Sequence, residues 1–336
     1  MTGQTTLRKR ILLFSVLLTL LSCAGTPEKR FFDTIAQNPS KNLRSYKFNS
    51  AAPLIGRVKP APEFLLNALR RMDHVDGYSS YIPTPKELAL IDRYLMLLPK
   101  SHQELLKSRL ISIYFVNNFM GSGLTDYVLD EKGDLFAIMV FNPDALKTDI
   151  SAWMTIRENS CFIKDDPSVR IKVNCGTQYQ GFLYALLHES AHLVDYVDHR
   201  TPYVEQDMKY VAKSAIPSST ALTHGVWMDY STPAPQFDFE RRKDIVFYGL
   251  QGGPRIKISE AHRMYQRLEE TPFSSLYGSQ NWAEDFAELF TWHYFTKTLS
   301  QPYEIDFFHG QDRTLQLKPM TFPHVVERNE ILKQWY

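Results

Sequence analysis

Two histidines four residues apart, with a glutamate directly after the first, form the segment best suited to chemistry: His188-Glu189-Ser190-Ala191-His192. On an α-helix, residues four apart stand one above the other on the same face, so both imidazoles can grip one metal ion. Glu189 lies next to the first of them, where its carboxylate reaches a water at the metal and serves as general base. The surrounding stretch, Gln180 to Val197, is apolar on nearly every face except at these residues. A helix of that kind is buried, and ionisable groups inside it need partners. The bland alternative is a pair of core histidines hydrogen-bonded around a surface glutamate, and three clustered ionisable residues on so apolar a helix are a costly way to build one.

A catalytic zinc takes three protein ligands and keeps a fourth position open. Two sources for the third ligand compete. Asp198 lies six residues beyond His192, but Asp195 stands where a glycine would have to turn the backbone back toward the ion. The distant source is a second apolar helix, Asn281 to Phe295, in which Glu284 and Glu288 are four apart and share a face. One of these carboxylates could bind the metal while the other hydrogen-bonds a ligand imidazole. Asn281-Trp282-Ala283-Glu284 also reads as a helix-capping sequence, a role that leaves Glu288 unexplained.

The segment Tyr277-Gly-Ser-Gln-Asn-Trp-Ala-Glu284-Asp285-Phe-Ala-Glu288 resembles the third-ligand segment of the anthrax lethal factor family of zinc peptidases, and His188 to His192 matches the short zincin motif. The stretch from Leu98 to Phe115 is similar to the opening of that catalytic domain, so the likeness covers about residues 85 to 300. It implies one Zn2+ per chain held by His188, His192 and Glu284. It also implies Glu288 behind a ligand histidine, and Tyr277 assisting the reaction. Two features depart from the pattern. The gap from His192 to Glu284 is 92 residues and implies an insertion near 201 to 251, and Asp285 replaces a more usual aromatic residue.

These side chains need elements to position them. Lys86 to Leu98 has helical apolar spacing, and Leu110 to Val116 is rich enough in branched and aromatic residues to be a strand. The segments 127–130 and 135–141 flank a turn in which Gly133 can take positive φ, predicting a hairpin. The expected fold class is α+β: a zincin-like domain with a small twisted sheet, an active-site helix and a mostly helical C-terminal lobe. One hairpin strand is expected to form the edge along which an extended peptide adds.

Arg8-Lys9-Arg10, the apolar run Ile11 to Leu21, interrupted only by Ser15 and Thr19, and Ser22-Cys23 read as an export signal, since a run of eleven residues is too short to span a bilayer, which takes about 20. Leu20-Leu-Ser-Cys23 looks like a bacterial lipobox, with Cys23 the lipid anchor. The expected organisation is a signal peptide over 1–22, a lipidated tether over 23–60 and a metallopeptidase domain over 61–336, at a bacterial cell envelope. If the cell is Gram-negative, the site is the outer membrane or the periplasmic face. Export and an even cysteine number favour a disulfide between Cys161 and Cys175.

The 44% hydrophobic content supplies a core, and 38 basic residues against 37 acidic ones give no electrostatic case for nucleic acid. The reading is therefore a zinc metalloendopeptidase cutting a peptide or protein substrate and held at the membrane through Cys23. Two rivals are a zinc-stabilised envelope lipoprotein that only binds or assembles, and a zinc amidase acting on cell wall. Glu189 argues against the first, because a closed structural site does not require it.

Overall fold

Branched and aromatic residues from Leu110 onward do form a strand, and the sheet around it is the platform for everything else. The computed structural model describes residues 27–210, 216–333 and 335; the signal segment and Cys23 lie outside the described residues. The chain enters through α1 (Pro27–Gln37) and short 3₁₀ turns, then runs through α2 (Glu63–Asp73), β1 (Ser79–Tyr81), α3 (Pro85–Leu97), α4 (Lys100–Arg109) and β2 (Leu110–Asn117). The hairpin β3 (Gly123–Leu129) and β4 (Leu135–Phe141) follows, with Gly133 at φ 74° in its turn. Next come α5 (Ile150–Ser160), β5 (Phe162–Ile163), β6 (Val169–Asn174) and the motif helix α6 (Gly181–Asp198). A stretch with only short 3₁₀ turns among its described residues leads to β7 (Ile256–Lys257) and α7 (Ala261–Glu269). The chain closes with α8 (Trp282–His293), β8 (Glu304–His309), β9 (Asp312–Leu317) and α9 (Pro323–Leu332).

The architecture is α+β with small sheets. The main sheet has the order β1-β2-β4-β3, with β2 and β4 parallel and the other pairings antiparallel. Both faces are covered, which is why β2 is buried along nearly its whole length. Along β3, Tyr127 and Leu129 point into the core around α6, while Leu124 and Val128 join a second apolar cluster with Leu65, Leu69 and Tyr46. Strand alternation thus gives β3 one face against the motif helix and one against α2. It also leaves β3 as the outer strand of the sheet. Among the described residues no helix is long and apolar enough to cross a membrane.

Two expectations need correction. Composition reads 23–60 as a tether, but residues 38–60 pack on the body. Arg57 is 1% exposed, and its guanidinium donates to the carbonyl oxygens of Leu106 (3.0 Å) and Lys107 (2.7 Å) at the end of α4. A single arginine satisfying helix-terminal carbonyls leaves no periodic trace in a sequence. The folded body therefore begins well before Pro60.

The second correction concerns Cys161 and Cys175, which are buried free thiols. β5 pairs with β7 and β6 with β8, and β6 runs along α5. Cys175 N donates to Ser151 Oγ near the start of that helix, whereas Cys161 caps its end ten residues later. At 1.5 Å per residue this separates the cysteines by about 15 Å, far beyond disulfide reach. Reducing agent should accordingly leave the melting temperature unchanged. Alkylation in denaturant, read by mass spectrometry, should find both thiols free.

Candidate metal centre

The motif helix is apolar enough to lie in the centre of the fold, packed on one side against β3 and β4 and on the other against α8 and α5. Its start is crowded: a Cβ on Gly181 would lie 2.4 Å from Trp153 Cγ, so only glycine fits there. Its end is set by His199 at φ 52°, after which Thr201 N and Oγ1 both donate to the buried Asp195 carboxylate at 2.6 Å. The position where a glycine would break the helix therefore holds a carboxylate that folds the following loop back.

Asn281 begins the second helix. Its Oδ1 accepts from Ala283 N and Glu284 N at 3.0 Å each, so the asparagine does the capping. Glu284 is left to reach toward the motif helix. Its Oε2 lies 3.0 Å from His188 Nε2 and 3.5 Å from His192 Nε2, and the two Nε2 atoms are 3.1 Å apart. Donors about 2.1 Å from one zinc-sized ion in a tetrahedral array stand about 3.4 Å from each other. The triangle therefore fits such an ion. His188, His192 and Glu284 form a group that could hold a metal, with both imidazoles buried. Asp198 takes no part, for its side chain is 42% exposed and paired with Arg200 at 2.9 Å.

Behind the triangle, Glu288 Oε1 accepts from His188 Nδ1 (3.1 Å), Tyr184 (2.5 Å) and Arg157 Nη1 (3.0 Å). Its Oε2 accepts from Ser275 (2.5 Å) and Trp292 (3.0 Å). A proton on Nδ1 leaves the Nε2 lone pair of His188 aimed at the triangle. Arg157 also donates to Glu158 at 2.6 Å, and Glu158 in turn accepts from Tyr265, so the buried cation is matched by two carboxylates. On the far side of the motif helix, Ser190 Oγ meets His102 Nδ1 at 2.9 Å, and the His102 ring stacks on Phe290.

Glu189 faces β3. Thr125 Oγ1 donates to the Glu189 carbonyl at 2.9 Å, and a Cβ on Gly123 would stand 2.8 Å from Glu189 Oε1, so this glycine makes room for the carboxylate. The other oxygen, Oε2, is buried with no hydrogen-bond partner. A buried unpartnered carboxylate oxygen is costly and points to a ligand or water beside it. Tyr277 lines the same cavity of about 150 Å³ together with His188, Glu189, Tyr248, Leu124 and Met120. Its ring centre is 5.8 Å from that of His188.

The electrostatics follow from burial opposed by pairing. Burial lowers the His188 pKa, but hydrogen bonds to Glu284 and Glu288 and their charges outweigh it and raise it to about 10. His192 is raised too, against burial, chiefly by the charge of Glu284. Burial raises the Glu284 pKa, and the two histidines more than reverse it, bringing it down to about 2. Glu288 is also lowered, with Arg157 the largest force against burial. Burial raises Glu189, with His188 and His192 opposing.

Sequence spacing finds His188, Glu189, His192, Glu284 and Glu288, and the structure brings them together. It misses Arg157 and Ser275, which carry no local signal. Tyr184 and Trp292 were detectable, since each lies four residues from His188 or Glu288 on the same helical face. Asp285 also has a role: Arg328 of α9 grips it at 2.8 Å on both oxygens, and Trp227 donates to it from the segment between the two helices.

No protein-family model matches this chain, and no curated protein or solved structure does either. Two outcomes follow from the geometry. Metal analysis by mass spectrometry should find one ion per chain, lost in Glu284→Ala and retained in Asp198→Ala. Because Glu284 and Glu288 raise the pKa of metal-free His188 and favour its protonated form, metal uptake at neutral pH should expel a proton. Titration calorimetry in buffers of different ionisation enthalpy should register that release, and metal affinity should rise with pH through the neutral range.

Proposed function

We propose that this chain is a zinc-dependent peptidase of zincin type, similar to the anthrax lethal factor family and carried at a bacterial envelope through Cys23. The observation that carries the reading is Glu189: a buried carboxylate with one unpartnered oxygen, next to a three-donor triangle and facing the outer strand of a sheet. A zinc ion held by His188, His192 and Glu284 would act as a Lewis acid on a scissile carbonyl and acidify a water.

Glu189 takes the proton of the attacking water and returns it to the departing amine. Burial suits it to this work, since a raised carboxyl pKa favours both uptake and release near neutral pH. Glu288 holds His188 by Nδ1 and thereby keeps Nε2 available. Burial and the nearby Glu284 charge push the Tyr277 hydroxyl well above its ordinary pKa, so it remains a donor. In this reading it hydrogen-bonds the oxyanion from the wall of the same cavity. The outer position of β3 in the sheet supports a polypeptide as substrate, because an extended chain can add there as a further strand.

Glu189→Gln should retain the metal while lowering turnover of an unstructured protein about 100-fold or more. His188→Ala should lose both metal and activity. Parallel assays with purified cell-wall fragments separate the peptidase from an amidase. A Glu189→Gln protein cleaving at the parent rate would remove the catalytic reading.

A further inference from the structure

The outer edge of β3 is not free along its whole length. Asn42 forms an isolated parallel bridge with Leu129. Lys41 makes an ion pair with Asp126 while its Nζ lies 3.6 Å from the ring centre of Tyr127. Tyr127 points to the motif helix, and Asp126, its neighbour along the strand, points to the opposite face. One side chain touching both must cross the strand's outer edge. Arg44 pairs with Glu131 in the hairpin turn, and Tyr46 is anchored in the second apolar cluster and donates to Ser40 O at 2.7 Å. The contact is semi-buried, with Lys41 and Asp126 side chains 15% and 18% exposed.

We propose that residues 38–46 are a built-in strap that closes one end of the peptide-binding edge, so that the resting protein admits short peptides or chain ends more readily than the interior of long chains. The inference rests on the peptidase reading. Strands advance about 3.3 Å per residue, so about 10 Å of edge lies between Gly123, beside Glu189, and the Lys41 contact at Asp126, a length of about three substrate residues. A longer chain must either turn away or displace the strap, losing the Lys41 ion pair, its contact with Tyr127 and the Asn42 bridge. The strap directly follows the segment leading from the proposed lipid anchor. A pull or a partner acting on that segment would therefore bear on the edge.

The test uses the full chain in a Cys23→Ser background carrying Asn42→Cys and Leu129→Cys. Bridged backbone neighbours suit a disulfide, and Cys161 and Cys175 are too buried to compete. Cleavage is followed for unstructured peptides of about six and about twenty residues sharing one cut site. The oxidised lock should cut the long peptide several-fold more slowly than the reduced protein and the short one at an equal rate. Lys41→Glu, which repels Asp126, should speed the long peptide selectively. Equal long-to-short ratios in all three forms would overturn the strap. If no form cuts either peptide, the peptidase reading fails, and hydrogen exchange still decides the strap. Faster exchange at Asp126 to Leu129 in Lys41→Glu, with β2 and β4 unchanged, retains it; unchanged exchange removes it.

Discussion

The Glu288 carboxylate, gripped by five donors from four separate parts of the chain, is the interaction on which the rest of the site depends. An ionised group at that depth is tolerated only when its lone pairs are filled and its charge is matched. Arg157 supplies the charge, Ser275 and Trp292 fill one oxygen, and Tyr184 and His188 share the other. Loss of one partner from such a buried pair costs about 3–5 kcal/mol, because the remaining charge is stranded. The same bonds fix the rotation of the His188 ring. Stability and ligand geometry are thus one arrangement, and the motif helix can be almost wholly apolar because its ionisable groups are answered from neighbouring elements.

Around this centre the fold divides its labour between two faces of one helix. Toward α8, the motif helix presents donors that converge on a point. Toward β3, it presents Glu189 to a strand thinned by Gly123, whose missing side chain lets carboxylate and backbone approach. The segment between the two helices braces the arrangement through Trp227 on Asp285 and through Tyr203, whose carbonyl accepts from Trp282 at 2.6 Å. Asp285 holds α9 by the same carboxylate, so one buried acidic residue joins three segments of chain.

The N-terminal segment shows how composition misleads. Its Pro, Ser, Asn and Lys residues have no period, and a periodless polar stretch reads as a linker. Yet its polar side chains are the contacts: Lys41 across β3, Arg57 on the end of α4, Asn38 and Asn42 capping short turns. Hydrogen bonds to backbone at a distance have no sequence signature, whereas apolar periodicity does. The cysteines mislead for a related reason. Their even number and the export signal favour a bridge, and only the pairing of β6 with β8, along α5, holds them at opposite ends of a helix.

By itself, the sequence determined the local elements and the residues they carry on one face. The strand from Leu110, the hairpin around Gly133, and two buried helices bearing His188, Glu189, His192 and Glu284 with Glu288 all follow from periods of two and 3.6 residues and from turn chemistry. Spacing left the third donor open between Asp198 and Glu284, and the family resemblance pointed to Glu284. Tertiary structure brings Glu284 Oε2 within 3.0 Å of His188 through helix packing and leaves Asp198 paired with Arg200. It also decided that Arg157 stands behind Glu288 and that the edge of β3 is partly covered. The physical reason is the same in each case: local pattern reports which face of an element is buried, while the partner buried against it is chosen by contacts far apart along the chain.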